Sequence, residues 1–174
     1  MSEIVEIEKA RLEIRAKKGF KNWISRFGCH FGISTRMEDI PDSALVFLAG
    51  GNQKSIELFY DLIMGVKDLG RSISFNELDT ADKITVIDTH LFLLDRVRYE
   101  YMKRLGWLAG YPGEEYHVVE LVINFHDLAP DIQARPPALS RSHPCYNEYR
   151  SKNLFEKDEL IRGLIPEALN ILFL

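Results

Sequence analysis

Cysteine is scarce in this chain. Cys29 and Cys145 are the only two among 174 residues. Two distant cysteines cannot build a disulfide framework, so a reducing compartment and a cytoplasmic location are expected. Neither sits in a Cys-x2-Cys knuckle, the usual spacing of structural zinc sites. Cys29 and His30 could ligate a metal only if joined by His143 and Cys145 from far along the chain. Long apolar runs are also missing. No stretch approaches the roughly 20 residues of a membrane span. The opening residues, Met1-Ser2-Glu3-Ile4-Val5-Glu6, set acids among apolar side chains, unlike a secretory signal. No sign of charge dominates: 22 Lys and Arg face 26 Asp and Glu, a formal net charge of −4. Nucleic acid is therefore not an expected partner. Gly50-Gly51 lacks the preceding strand and the following Gly-Lys-Ser/Thr of a phosphate-binding loop. There is no internal repeat and no sustained alternation of apolar and polar residues, which argues against β-rich folds.

What remains is ample material for a core. The chain is 46% hydrophobic and 28% charged, suited to one folded domain. The spacing of apolar residues predicts an all-α, single-domain bundle of about seven helices over residues 1–174. Residues 1–28 read as a basic helical arm. Glu3 to Lys18 is rich in helix formers, with acids leading and bases trailing. Gly19 then interrupts, and Phe20, Trp23, Ile24 and Phe27 give a second short helix closed by Gly28. Between Lys9 and Arg26 seven cations stand against Glu13 alone. That face either meets an acidic partner or anionic lipid, or is the solvated side of a docked helix pair.

Further along, Pro41 and Asp42 open a short helix through Leu48, stopped by Gly50-Gly51. Asn52 caps a helix to about Leu69, closed by Gly70. Ser74 and Glu77 have capping-box spacing. Asp79 or Thr80 starts a long helix to Arg104, with Ile84, Ile87, Leu91, Leu94, Tyr101 and Leu105 as an apolar seam and Asp95–Arg98 as an ion pair at its edge. Residues 106–113 form the turn of a helical hairpin. Residues 129–151 hold four prolines and a basic balance, and are expected to be a long irregular Pro/Arg-rich loop. Asn153 and Glu156 can cap the last helix, which contains Pro166. The apolar end Ala168 to Leu174 is expected to dock on the core or on a second subunit, making self-association or a protein partner through the C-terminal helix the expected assembly.

The polar residues most able to carry chemistry fall between Asp79 and Asp127. If residues 114–127 form one helix, Glu114, His117, Glu120, Asn124 and Asp127 make a narrow polar line on an otherwise apolar rod. The line is the solvent edge of a buried helix in a binding or regulatory domain, the leading expectation for function. Alternatively, Glu114-x-x-His117 with Glu120 has the spacing by which helical bundles hold divalent metals. A third possibility follows from Leu121-Val122-Ile123-Asn124-Phe125-His126-Asp127 with His90 on the preceding helix. This arrangement resembles the His…His-Asp…Asp pattern of the HD superfamily, all-helical divalent-metal phosphohydrolases. The resemblance covers about forty residues. It implies metal ligation by His90, His126 and Asp127, with the loop side chains Arg135, Arg141, His143 and Arg150 neutralising phosphate. Leu128-Ala129-Pro130 stands where the family has a Gly-containing turn, and neither Asp131 nor Asp158 matches its closing Asp.

Overall fold

A computed structural model describes residues 2–171. Among these the fold is all-α: eight α-helices, two 3-10 turns and one two-stranded ribbon. No helix among the described residues is long and apolar enough to cross a membrane.

The first helix, α1 (Ser2–Phe27), is continuous. Gly19 does not break it, because the glycine is a packing device. Helix α3 (Gln53–Val66) crosses α1 at this point, and a Cβ built on Gly65 would lie 2.6 Å from the Cα of Gly19. Losing both side chains costs helix propensity but lets the two backbones touch. Below the crossing, Trp23 is fully buried. Its indole N–H donates to the carbonyl of Leu58 at 2.8 Å, and its ring meets Phe20, Phe31 and Phe59 at 5.2–5.9 Å. Residues 2–11 of α1 are all exposed, so the amino-terminal part of the helix projects beyond the body by about 15 Å.

Helix α2 (Asp42–Ala49) begins after Pro41 and ends at Gly50, and Asn52 caps α3 by accepting from the Ser55 amide at 2.9 Å. Helix α3 ends at Val66, earlier than expected. Asp68 (φ 59°) and Gly70 (φ 97°) turn the chain in left-handed conformations, and Ser72–Glu77 forms a 3-10 turn.

Helix α4 (Thr80–Arg104) runs through the centre, capped by Asp79, whose carboxylate accepts from the Asp82 amide at 2.8 Å. Only the second half of the expected seam is buried, at Leu94 and Tyr101, with Leu105 packed against the core. Ile84, Ile87 and Leu91 are 54%, 38% and 53% exposed, whereas Val86, His90, Leu93 and Val97 form the buried row. Beyond Leu91 the helix is covered on several sides, so periodicity within α4 does not distinguish the packed face. Asp95 does not pair with Arg98. It binds Arg162 at 2.9 Å, and Arg98 donates to the carbonyl of Ala49 at 3.0 Å.

The segment after α4 departs most from expectation. Residues 114–127 are not one helix. Glu114–Tyr116 is turn, α5 spans Val118–Ile123, and α6 spans Phe125–Gln133. Asn124 (φ −102°, ψ 25°) joins α5 to α6 in a non-helical geometry. His117 starts α5 because Glu120 accepts from its amide at 3.1 Å. Residues 129–151 are also more ordered than a loop. Helix α6 continues past Pro130, Ala138–Leu139 (β2) pairs antiparallel with Leu108–Gly110 (β1), and Tyr146–Arg150 forms α7. The ribbon closes the segment over the turn that follows α4. Helix α8 (Leu154–Ile171) docks on the core through Ile161, Leu164, Ile165 and Ala168, with Asn153 accepting from the Glu156 amide at its start. The last apolar residues, 172–174, lie outside the described residues.

Candidate binding groove between the first and third helices

The α1–α3 crossing leaves a groove along one edge of α1. Arg11, Arg15, Lys18, Asn22 and Arg26 follow at steps of three and four, so they share that edge. The facing lip comes from α3 and from the turn after it. Three contiguous cavities lie along the seam, of about 310, 270 and 740 Å³. Adjacent cavities share Lys18 and Asp68, then Asn22 and Asp61.

The middle cavity is the best defined. Its floor is fixed by Asp61, only 9% exposed, which accepts from the Asn22 side chain at 2.7 Å and the Ser72 amide at 2.8 Å. Both carboxylate oxygens are therefore occupied by neutral donors. The left-handed turn at Asp68 and Gly70 brings Arg71 to the rim, opposite Lys21. Lys18 pairs with Asp68 at 3.6 Å, but among the described residues neither Lys21 nor Arg71 has a carboxylate within ion-pairing distance. At the wide end Arg26 lies over the Phe47 ring, 4.0 Å from its centroid. Seven cations and three carboxylates line the whole groove, on a chain of net charge −4. The run of cations on α1 was visible in the sequence. The contribution of Lys54, Asp61 and Arg71 was not, because it depends on how α3 and its exit turn are laid beside α1.

The residues singled out from sequence are scattered. His90 is buried on the α3 side of α4, with its ring 5.2 Å from Phe59 and 5.4 Å from Tyr60. His126 and Asp127 are exposed on α6, whose Phe125 packs on Phe92. Positions 90 and 92 lie about 200° apart around a helix, so the HD-like set does not converge. Glu114 accepts from the Tyr111 amide at 3.2 Å and pairs with Lys103 at 3.4 Å, while Glu120 pairs with His117 Nδ1 at 3.1 Å. The polar line is thereby divided between a turn and a helix cap. Arg135 pairs with Asp131 and is exposed, as are Arg141 and Arg150. His143 lies apart from them against Trp107, in a cavity of about 460 Å³ with Cys145, and its Nδ1 accepts from the Cys145 amide at 3.1 Å. Among the described residues, no group of three or more His, Cys, Asp or Glu side chains is placed to hold one metal ion.

His90 has a measurable signature. Burial, and then the positive charge of Arg98, push its pKa below the ordinary value, and its Nε2 has no hydrogen-bond partner among the described residues. The folded protein takes up a proton at His90 less readily than the unfolded chain, which does so near pH 6.5. Its share of the stability is thus present above that pH and lost as pH falls below it, by at most about 1.4 kcal/mol per pH unit. Urea denaturation from pH 7 down to about pH 5 is expected to show a steeper loss for the wild type than for His90→Phe. Parallel curves would contradict this assignment.

No protein-family model matches the chain, and no curated protein or solved structure is found to be similar to it.

Proposed function

We propose that this chain is a helical interaction domain whose α1–α3 groove holds an acidic segment of a protein partner. The observation that carries the proposal is the continuity of the three cavities beside one line of cations. Arg11 to Arg26 spans about 22 Å of helix, the scale of an extended chain and longer than a compact metabolite. The open groove, with its cations at the rim, suits association governed by electrostatic complementarity and sensitive to salt. Asp61 is tied down by neutral donors, so it orients the floor instead of competing strongly for Lys21 and Arg71.

The test is fluorescence anisotropy with a labelled oligoglutamate peptide and the full chain. Binding that weakens as salt rises is expected. The double substitution Lys21→Glu with Arg71→Glu is expected to weaken it at least tenfold, equivalent to about 1.4 kcal/mol, without changing the helical circular dichroism. A double variant that binds as well as the wild type would overturn the proposal. So would partitioning onto phosphatidylserine vesicles without peptide binding, which would assign the cations to a lipid surface.

A further inference from the structure

The amino-terminal half of α1 presents a second feature, an apolar row that begins on the projecting part and reaches the narrow end of the groove at Arg11, Ile14 and Lys18. Ile4, Ile7, Arg11, Ile14 and Lys18 follow at alternating threes and fours, the spacing of a helix-pairing seam. Ile4, Ile7 and Ile14 are 62%, 53% and 57% exposed, and Val5 beside them is 64% exposed. Such a row on a projecting helix leaves apolar surface in water that pairing would remove.

The distribution of charge along the same helix specifies what fits. Glu3, Glu6 and Glu8 precede any base, whereas Lys9 to Lys18 holds five bases against Glu13 alone. An identical helix laid parallel would set acid on acid and base on base. Laid antiparallel, the acidic end of each copy meets the basic stretch of the other. With Ile4 opposite the second copy's Ile14, Ile7 falls opposite Arg11 and Glu3 opposite Arg15, and the two-fold axis repeats each contact. In this register the apolar pair Ile4–Ile14 and the acid–base pair Glu3–Arg15 occur together on each side of the axis, and the contact closes on itself without leaving a surface for further addition.

We infer that the protein pairs with a second copy of itself through an antiparallel contact between the exposed amino-terminal halves of α1. This interface is different from the C-terminal helix expected from sequence, much of whose apolar face is already spent on the core. It does not rest on the peptide-binding role of the groove: Lys21 and Arg71 lie outside the seam, so the double variant of those residues keeps the pairing even if the acidic-segment proposal fails.

Analytical ultracentrifugation of the full chain tests the pairing. The expected result is a mass of twice 20.1 kDa that falls toward 20.1 kDa on dilution. Ile7→Glu with Ile14→Glu should shift the protein to monomer without loss of the body fold, because both side chains are exposed. Orientation is read by disulfide trapping in a Cys29→Ser, Cys145→Ser background. Ile4→Cys combined with Ile14→Cys is expected to give a cross-linked dimer, and Ile4→Cys alone is not. A monomer at every attainable concentration would overturn the inference. So would efficient cross-linking by Ile4→Cys alone, which signals parallel pairing.

Discussion

Gly65→Ala is expected to destabilise the protein by about 2–3 kcal/mol, although alanine is the better helix former by up to about 1 kcal/mol. The reversal of sign follows from the α1–α3 crossing. The added methyl would lie 2.6 Å from the Gly19 Cα and 2.7 Å from its nitrogen. Both obstacles are backbone and cannot swing aside like a flexible side chain. The helices must separate, and their separation disturbs the burial of Trp23 and the Asn22–Asp61 hydrogen bond that fixes the groove floor. Gly163 in α8 supplies the control. Among the described residues nothing lies within 4 Å of a Cβ built there, so Gly163→Ala is expected to stabilise, by up to about 1 kcal/mol. Urea denaturation of the two variants checks both signs. A stabilised Gly65→Ala would mean that the two helices are not in contact.

Glu100→Leu is expected to cost about 3–5 kcal/mol. Glu100 is 3% exposed on α4. It accepts from the Tyr111 hydroxyl at 2.7 Å and from Arg104 Nε at 3.2 Å. Arg104 in turn binds Asp42 at 2.9 Å and the carbonyls of Met37 and Glu38, so one carboxylate joins α4 to the start of α2 and to the turn before α5. Burial, and then the charge and hydrogen bond of Glu100, hold the Tyr111 hydroxyl protonated far above the usual tyrosine range. Leucine would leave that hydroxyl in an apolar setting without its acceptor, and Arg104 without its most buried partner. Tyr111→Phe added to Glu100→Leu should recover part of the loss, because both partners are then apolar. Thermal or urea unfolding of the single and double variants measures the coupling, and strictly additive costs would contradict it.

The parts of the fold that follow local rules were legible from the sequence. Asn52, Asp79 and Asn153 each mark a helix start that the structure contains, because a capping side chain acts on amides two or three residues away. Features that depend on distant neighbours were not legible. Gly19 reads as a breaker until Gly65 is placed against it. The row Ile84, Ile87 and Leu91 has the spacing of a buried seam, yet over that half of α4 the body packs on a different face, and only Leu94 and Tyr101 further along the row are buried. Residues 114–127 read as one helix, but the capping of the His117 amide by Glu120 starts α5 only there, and the geometry of Asn124 ends it before Phe125. The candidate ligands His90, His126 and Asp127 shared a helical hairpin on paper, but they face different surroundings once α3 and α6 are in place. The cationic edge of α1 was legible as composition, and its conversion into a groove required Asp61, Gly65 and Arg71 from elsewhere in the chain.

Chemical-shift mapping on the isotope-labelled 174-residue chain, with the oligoglutamate peptide as titrant, locates the ligand directly. The perturbed amides should run along α1 from Arg11 to Arg26 and reappear at Gly70 and Arg71, with the region around Trp107 and His143 unchanged. Perturbations centred on that second cavity, or none at concentrations that saturate the anisotropy signal, would contradict a binding role for the α1–α3 groove.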